Sequence, residues 1–201
     1  MKAIRVLEER LGNLETISHG NLRLEQYVTD VSAAANLLFS AYNSQNISGR
    51  TVLDLGAGNG ILSVGAALLG ALKVTAVEID EESVKVLKRN VEGLPVQVLN
   101  MDVSEVTGHW DTVIMNPPWG SQSRHADRIF MRIAVASGDY VYAIHNYKSL
   151  EYLREFYSKR GEILSERKLK IELPRHYRHH ALDKVTVDAV MFAVRSGQGI
   201  T

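Results

Sequence analysis

The residues that most clearly could do chemistry are Asn116-Pro117-Pro118-Trp119, which follow an apolar run. The two prolines fix their φ angles and lack backbone N–H groups, so the carbonyls near Asn116 and Pro117 can face a ligand without a competing donor. The Asn116 side-chain oxygen and the Pro117 carbonyl can accept both N–H bonds of an exocyclic amine, which turns the nitrogen lone pair toward an electrophile. This chemistry needs position and electrostatics but no strong general base. Trp119 then offers a flat face on which a base can stack.

A second group of residues has the composition of a nucleoside-binding loop. Gly56, Gly58 and Gly60 alternate with larger residues, and glycines at such positions let a ligand lie against the main chain. A dinucleotide-binding fingerprint has its third glycine one residue later, where this chain has Ile61. The acid before the glycines, Asp54, would repel a diphosphate but suits the ammonium of a methionine, directly or through water. The loop therefore favours S-adenosylmethionine over a dinucleotide.

Two more acids follow the next two predicted strands. Glu78 falls where a carboxylate can accept both ribose hydroxyls, and Ile79 would then lie on the adenine ring. Asp102 is positioned to accept a hydrogen bond from the adenine amino group. A glycine turn alone could be purely structural, but together with three acids at three successive strand ends it predicts a nucleoside site.

The elements that must position these residues alternate between β-branched runs and helical periods from residue 51 onward. This pattern predicts an α/β fold with a doubly wound, seven-stranded, mostly parallel sheet inside an α-β-α sandwich. The last two strands have no helix between them and should pair antiparallel. The predicted strands are residues 51–55, 73–79, 96–101, 112–115, 140–145, 163–173 and 185–195. The predicted helices are residues 2–11, 29–42, 60–70, 82–91, 124–137 and 149–159, with Thr29 or Asp30 as the N-cap of the second.

Composition sets limits on the class of protein. The chain has 201 residues, 45% of them hydrophobic and 23% charged, which is the balance of a globular protein and not of a disordered one. Lys plus Arg and Asp plus Glu number 23 each, so a polyanion-binding surface must come from local clustering. No cysteine is present, which excludes disulfides and thiolate metal sites. With no apolar run like that of a secretory signal, and with residues 61–72 too short to span a bilayer, which needs about 20 residues, we expect a cytoplasmic enzyme.

The chain resembles the class I, seven-stranded methyltransferases of the Asn-Pro-Pro-aromatic type. More narrowly, it is similar to the methyltransferase-like group that makes N6-methyladenosine in small-subunit ribosomal RNA, including archaeal relatives. The resemblance covers nearly the whole chain, through residues 24–29, 54–70, 77–90, 111–120, 142–146 and 173–184. It implies an N-terminal attachment with a cofactor lid over residues 1–48 and a catalytic domain over 49–201, as one structural unit.

The resemblance also implies roles for individual residues. The cofactor would be S-adenosylmethionine, with S-adenosylhomocysteine as the product. Its contacts would include Gln26, Tyr27 and Thr29 from the N-terminal segment, beside Gly56, Asn59, Glu78 and Asp102. Asn116, Pro117, Pro118 and Trp119 would be catalytic. The chain departs from its relatives at Val28, where proline is common, and at Trp119, where phenylalanine is common; the indole still provides an aromatic plane.

The densest basic and aromatic cluster lies between the last two predicted strands. Arginine and lysine can contact phosphates there, while a tyrosine offers a stacking face. We therefore predict an RNA contact formed by Arg175, His176, Tyr177, Arg178, His179 and Lys184. A solvated loop and a metal site are the alternatives, but histidines without a carboxylate at helical spacing are weak metal ligands, and no metal is expected. Residues 121–128, including Arg124, are either a substrate gate or an exposed connection.

Residues 96–101 should form an edge strand if the sheet has the order typical of the family. Such an edge invites strand addition by a partner, and relatives pair with a small zinc-ribbon activator protein. A rival hypothesis keeps the chemistry but changes the acceptor to a glutamine amide of a protein, or to an amino group of guanine or cytosine. A non-enzymatic alternative is a nucleoside-binding module, which would require the Asn116 loop to be out of reach of the cofactor's methyl group.

Overall fold

The computed structural model of the protein describes residues 2–17, 29–119, 126–174 and 184–197. Its helices are α1 Lys2–Gly12, α2 Val31–Asn43, α3 Ile61–Leu68, α4 Glu81–Asn90, α5 Ala126–Ser137 and α6 Leu150–Ser158. Its strands are β1 Thr51–Leu55, β2 Lys73–Glu78, β3 Val96–Asn100, β4 Trp110–Met115, β5 Gly138–Asn146, β6 Gly161–Pro174 and β7 Lys184–Ser196. Short 3₁₀ helices occupy Val103–Glu105 and Tyr147–Ser149.

The strands form one sheet in the order β3-β2-β1-β4-β5-β7-β6. Neighbours from β3 to β5 pair in parallel, whereas β7 runs antiparallel between β5 and β6. The predicted mostly parallel sheet with an antiparallel last strand is therefore confirmed, as is the position of β3 at an edge. β7 pairs antiparallel with β6, the strand that precedes it in the sequence, as expected where no helical pattern separates two strands.

Tertiary contacts extend some elements beyond their predicted ends. β4 begins at Trp110 and not at Thr112, because Trp110 pairs with Gly138 of β5. The Asp111 carboxylate accepts hydrogen bonds from the Thr51 N–H at 2.7 Å and from the Thr51 hydroxyl at 2.6 Å. These contacts hold polar residues in strand geometry that apolar patterning alone would exclude.

The two faces of the sheet carry separate hydrophobic clusters. Side chains of β1 alternate between them, so Val52 packs on the side of α1 to α4 and Leu53 on the side of α5 and α6. Because of this alternation, Asp54 points to the same face as Val52, toward α3. Among the described residues, no helix combines the length and the apolar character needed to cross a membrane.

The hairpin of β6 and β7 extends past the end of its neighbour. Asn146, the last residue of β5, pairs with Ala189 of β7. Pairing between β6 and β7 continues to Pro174 and Lys184, so residues 184–188 lie beyond the end of β5. The extension is at the edge where the parallel strands have their carboxyl ends.

Candidate active site

The glycine loop and the Asn116 loop leave two neighbouring strands side by side. Leu55, the last residue of β1, pairs with Met115, the last residue of β4, so Gly56 and Asn116 each follow one member of the same pair. On the other side, Leu55 pairs with Val77, one residue before Glu78. Ligands of open α/β sheets bind at this carboxyl edge. The structure therefore brings the predicted cofactor residues and the predicted catalytic residues to one edge.

The glycine loop needs glycine for its backbone conformation. Gly56, Gly58 and Gly60 have φ angles of 71°, 57° and 88°, a region that other residues adopt only with strain. A Cβ on Gly60 would lie 2.4 Å from Leu87 Cδ1, so that glycine also serves close packing. A Cβ on Gly58 would meet no atom within 4 Å. Gly58 therefore faces open space, as expected of a loop that a ligand approaches.

Asp54 is fully buried on β1 and uses only one of its carboxylate oxygens. Ser63 of α3 donates to Oδ2 at 2.6 Å, and Oδ1 has no hydrogen-bond partner. Burial raises the pKa of Asp54 to about 7 against the opposing effect of the Ser63 hydrogen bond. A cation nearby would favour the carboxylate, so the residue fits an ammonium-bearing ligand. Because Oδ1 is shielded from solvent, such an interaction requires a bridging group or a small local opening.

Glu78 connects the end of β2 to the glycine loop. One oxygen accepts the Gly58 N–H at 2.8 Å and the other accepts the Asp80 N–H at 2.9 Å. Burial raises the pKa of Glu78, although these backbone donors oppose the shift. Each carboxylate oxygen has a second lone pair for a ligand hydroxyl. The next residue, Ile79, is 48% exposed, which leaves an apolar surface beside Glu78 suitable for a flat ring.

Asp102 caps the short helix Val103–Glu105. Its Oδ1 accepts both the Ser104 N–H at 2.7 Å and the Ser104 hydroxyl at 2.6 Å, and Glu105 completes a capping box. These hydrogen bonds lower the pKa of Asp102, so it is a carboxylate. One oxygen is thus committed to local structure, which leaves the other for the adenine contact expected from the sequence. The Asp-x-x-Glu spacing was the signal for this additional role.

The side chain of Asn59 faces the N-terminal segment. Its Nδ2 donates to the Glu15 carbonyl at 3.1 Å, and its Oδ1 accepts the Ile61 N–H at 3.3 Å. Asn90 of α4 donates to the carbonyls of Glu15 at 3.0 Å and Asn59 at 2.8 Å. Nothing local in the sequence signals this contact between residues 15, 59 and 90. It ties the segment after α1 to the predicted cofactor loop.

The Asn116 side chain is held at one end and free at the other. Its Nδ2 donates to Thr29 Oγ1 at 3.0 Å, while its Oδ1 is shielded from solvent and has no partner. The N-cap of α2 is Asp30, which accepts the Ala33 N–H at 2.9 Å, so the Thr29 hydroxyl is not used as a cap. A shielded acceptor without a partner costs about 1–3 kcal/mol, which a ligand N–H can recover. Asn116 therefore has an acceptor without a partner, and because this oxygen is shielded from solvent, a substrate N–H can reach it only after a small local opening.

The rest of the tetrapeptide is partly built into the core. Pro117 is buried, and Pro118 and Trp119 are half-buried. Trp119 packs against the hydrophobic cluster on the side of α1 to α4. Its indole thus has a fixed position at the edge of the site, and a base can stack only on the surface that remains.

Several predicted residues lie outside the described part of the chain: Gln26, Tyr27, Arg124, Arg175, His176, Tyr177, Arg178 and His179. Lys184 begins β7 and pairs with Pro174, which places its backbone at the far end of the β6–β7 hairpin. Within residues 2–17, 29–119, 126–174 and 184–197, no group of three histidine, aspartate or glutamate side chains could hold a metal ion.

Comparison with known proteins identifies the family of the chain. The family model described as "Methyltransferase small domain" matches residues 28–142. The chain is 33% identical to protein MJ0284 of Methanocaldococcus jannaschii, over 94% of this chain and 92% of that protein. It is 30% identical to the rRNA N(6)-adenosine-methyltransferase METTL5 of Danio rerio, over 92% and 94%. The crystal structure of PH1948 from Pyrococcus horikoshii matches with a TM-score of 0.92 at 37% identity and covers 98% of each chain.

Proposed function

Because the chain belongs to the methyltransferase small domain family, we propose that it transfers the methyl group of S-adenosylmethionine to N6 of an adenosine in ribosomal RNA. The acceptor follows from relatives such as the Danio rerio rRNA N(6)-adenosine-methyltransferase, which is similar over nearly the full length of both chains. A cytoplasmic location is part of the proposal, since ribosomal RNA is the substrate.

The observation that carries the proposal is the unpartnered Oδ1 of Asn116 beside the glycine loop. In this position it accepts one N–H of the adenine amino group, and the Pro117 carbonyl accepts the other. The nitrogen lone pair is thereby turned out of the ring plane toward the cofactor. S-adenosylmethionine supplies an electrophilic methyl group on a sulfonium. The bound cofactor would give up its methyl group to the nitrogen and leave as S-adenosylhomocysteine, and the methylated nitrogen would lose a proton to solvent.

The cofactor residues support binding of an adenosine with a methionine tail. Asp54 offers a second shielded oxygen without a partner, which fits the methionine ammonium. Glu78 retains acceptor capacity for the ribose hydroxyls. The exposed Ile79 offers an apolar surface on which the adenine ring can lie. Gly58 leaves space for the ligand. The unpartnered oxygens of Asp54 and Asn116, on adjacent strands, therefore suit the ammonium group of the cofactor and the amino group of the substrate.

The proposed RNA contacts are Arg124 and the cluster from Arg175 to His179, which lie outside the described residues, and Lys184 at the start of β7. The β6–β7 hairpin supports this proposal, because it extends past β5 at the same edge as Asn116. A base paired in a duplex would have to leave the stack to reach this edge.

We also propose that a small zinc-ribbon protein adds a strand to β3. β3 is an edge strand, and the Met101 N–H donates inward to the Glu78 carbonyl at 3.2 Å. By two-residue alternation, the Val98 N–H points outward and is available to a partner strand. We expect Val98→Pro to weaken binding of such a partner without changing cofactor affinity, as measured by calorimetry. Unchanged partner binding would exclude this edge.

The test of the methyltransferase proposal uses isotope-labelled S-adenosylmethionine, purified protein, and small and large ribosomal subunits. The labelled product is digested and identified by mass spectrometry, with free ribosomal RNA as a parallel substrate. Label in N6-methyladenosine supports the proposal. Label in a protein side chain, in a guanine or in a cytosine would replace the acceptor, and cofactor binding without transfer to any component would favour the nucleoside-binding module.

A further inference from the structure

The first residues of α5 and α6 lie at the edge of the sheet where Asn116 follows β4. α5 ends at Ser137, directly before the amino end of β5, so its first residues lie toward the carboxyl edge. Phe130 of α5 agrees with this direction, because its Cε1 would lie 2.9 Å from a Cβ added to Gly56. α6 follows β5 through the short helix Tyr147–Ser149, so it begins at the same edge. Side chains at both helix starts therefore flank the edge at which the acceptor base would be held.

Two pairs, each of a tyrosine and a cation, occupy this edge on the side of α5 and α6. The guanidinium carbon of Arg128 in α5 lies 5.0 Å from the centre of the Tyr152 ring in the first turn of α6. The ammonium of Lys168 in β6 lies 4.2 Å from the centre of the Tyr147 ring. Lys168 also pairs with Asp188 of β7 at 2.7 Å, which holds it over the ring. Aromatic rings and guanidinium planes are the groups on which unpaired RNA bases stack.

Three cations beside these tyrosines have no carboxylate partner among the residues that the structure describes: Arg128, Lys148 and Lys170. Lys170 lies two residues after Lys168 on β6 and so faces the same side of the hairpin. The carboxylates on that face, Asp188 and Glu172, both already have partners. By contrast, Lys85 and Lys159 each pair with a glutamate of their own helix or its end. The three cations can therefore contact phosphates without first breaking an ion pair.

We propose that single-stranded RNA beside the acceptor adenosine binds a surface formed by Arg128, Tyr147, Lys148, Tyr152, Lys168 and Lys170. Bases next to the acceptor stack on the two tyrosine–cation pairs, and their phosphates contact Lys148 and Lys170. The inference rests on the proposed function, because it gives the same RNA substrate a second contact, made by other residues than the contact predicted at 175–184. Since the surface lies outside the catalytic loop, it acts on RNA affinity and not on the rate of transfer at saturating RNA.

Removal of the unpaired charges tests the phosphate contacts. Two triple variants of the full-length protein lose the same charge: Arg128→Gln/Lys148→Gln/Lys170→Gln on the proposed surface, and Lys85→Gln/Lys88→Gln/Lys159→Gln on α4 and after α6 as the matched control. The probe is a fluorescent single-stranded fragment of ribosomal RNA that contains the acceptor adenosine, and its binding is measured by anisotropy across a salt series.

We expect the surface triple variant to bind this RNA at least about tenfold more weakly at low salt, and the control to bind it like the wild type. The slope of log affinity against log salt should decrease by about 0.7 for each phosphate contact that is lost. The KM for RNA should rise in parallel, whereas kcat at saturating RNA and the affinity for S-adenosylhomocysteine should stay within about twofold.

Tyr152→Leu and Tyr152→Phe test the stacking contact. Tyr152 is 37% exposed, so neither substitution opens the core. Leucine is apolar but lacks the ring, and phenylalanine keeps it. We expect Tyr152→Leu to lower RNA affinity at least about fivefold, in the range of one stacked base, and Tyr152→Phe to retain it. Unfolding temperatures of all variants show whether they are folded.

Three results would overturn the inference: unchanged RNA affinity in the surface triple variant, an equal loss in the control triple variant, or equal RNA affinities of Tyr152→Leu and the wild type. A loss confined to kcat or to cofactor affinity would overturn it as well. Failure of the wild-type protein to methylate RNA would instead overturn the proposed function.

Discussion

Arg89, in the last turn of α4, donates to both carboxylate oxygens of Glu15, with distances of 2.8 and 2.6 Å. The pair is exposed, so its direct contribution to stability is small. Its importance lies in what it holds, because the Glu15 carbonyl accepts a hydrogen bond from Asn59 of the glycine loop. Through Glu15, the ion pair therefore connects the end of α4 to the glycine loop of the predicted cofactor site.

We expect Asn90→Ala to weaken cofactor binding more than Arg89→Ala does. Asn90 donates to the carbonyls of both Glu15 and Asn59, whereas the Arg89 side chain donates to the carboxylate of Glu15 and not to the glycine loop. Calorimetric titration with S-adenosylhomocysteine measures the difference, and kcat at saturating cofactor should change little. Equal affinities in both variants and the wild type would show that this network does not support the site.

Asn116→Ala should abolish transfer while leaving cofactor affinity within a few-fold. The substitution removes the acceptor that turns the amine, and losses of about 100-fold or more are typical when a transition-state hydrogen bond is deleted. Asn100→Ala is a matched control, because Asn100 donates to the carbonyls of Glu78 and Ile79 at the cofactor side. It should weaken cofactor binding and spare kcat. An Asn116→Ala enzyme as active as the wild type would contradict the assigned role.

Cofactor affinity should rise with pH up to about 7 and then level off. The free protein keeps Asp54 protonated below its raised pKa of about 7, whereas an ammonium ligand favours the carboxylate. Binding below that pH therefore releases a proton, which calorimetry in buffers of different ionisation enthalpy detects. Asp54→Asn should remove the release. Affinity independent of pH between 5.5 and 7.5 in the wild type would argue against an ionic role for Asp54.

The raised pKa of Asp54 also predicts how the free energy of unfolding changes with pH. The folded-state pKa of Asp54 lies above its ordinary value of 3.8, so the unfolded chain loses this proton first. Without cofactor, the contribution of Asp54 to the free energy of unfolding should decline as pH rises from about 4 to about 7. Urea unfolding of the wild type and Asp54→Asn across this window isolates the contribution.

Gly58→Ala and Gly60→Ala should distinguish a glycine that leaves room for the ligand from one that is needed for packing in the core. Both positions have positive φ, so each alanine is strained by about 1–2 kcal/mol. At Gly58 the methyl group meets no atom, so we expect a small drop in unfolding temperature and a marked loss of cofactor affinity. At Gly60 it would lie 2.4 Å from Leu87 Cδ1 in the core, and destabilisation should dominate. Equal unfolding temperatures for the two variants would contradict this distinction.

Strand positions were predictable because buried parallel strands are continuous apolar runs that end at polar residues. This pattern alone predicts that Asp54, Glu78 and Asn116 lie toward one edge of the sheet. The antiparallel position of β7 was predictable because the sequence has no helical pattern between the last two predicted strands. In these cases, short-range sequence patterns determine the geometry.

Contacts between distant segments were not predictable in the same way. The hydrogen bond between Thr29 and Asn116 depends on how α2 packs against the sheet, and either Thr29 or Asp30 was an equally good cap by sequence. The tie from Asn59 to Glu15 likewise joins residues without a shared pattern. The pKa of Asp54 depends on burial by α3, which residue type alone does not reveal.

The β6–β7 extension sets a length scale for the proposed RNA substrate. Five residues of β7 beyond the end of β5 correspond to about 17 Å at the rise of a strand. Consecutive stacked bases rise about 3.4 Å each, so the end of the paired strands stands about five nucleotides from the sheet edge. An oligonucleotide trimmed to the acceptor and its immediate neighbours would therefore reach the catalytic loop but fall short of Lys184.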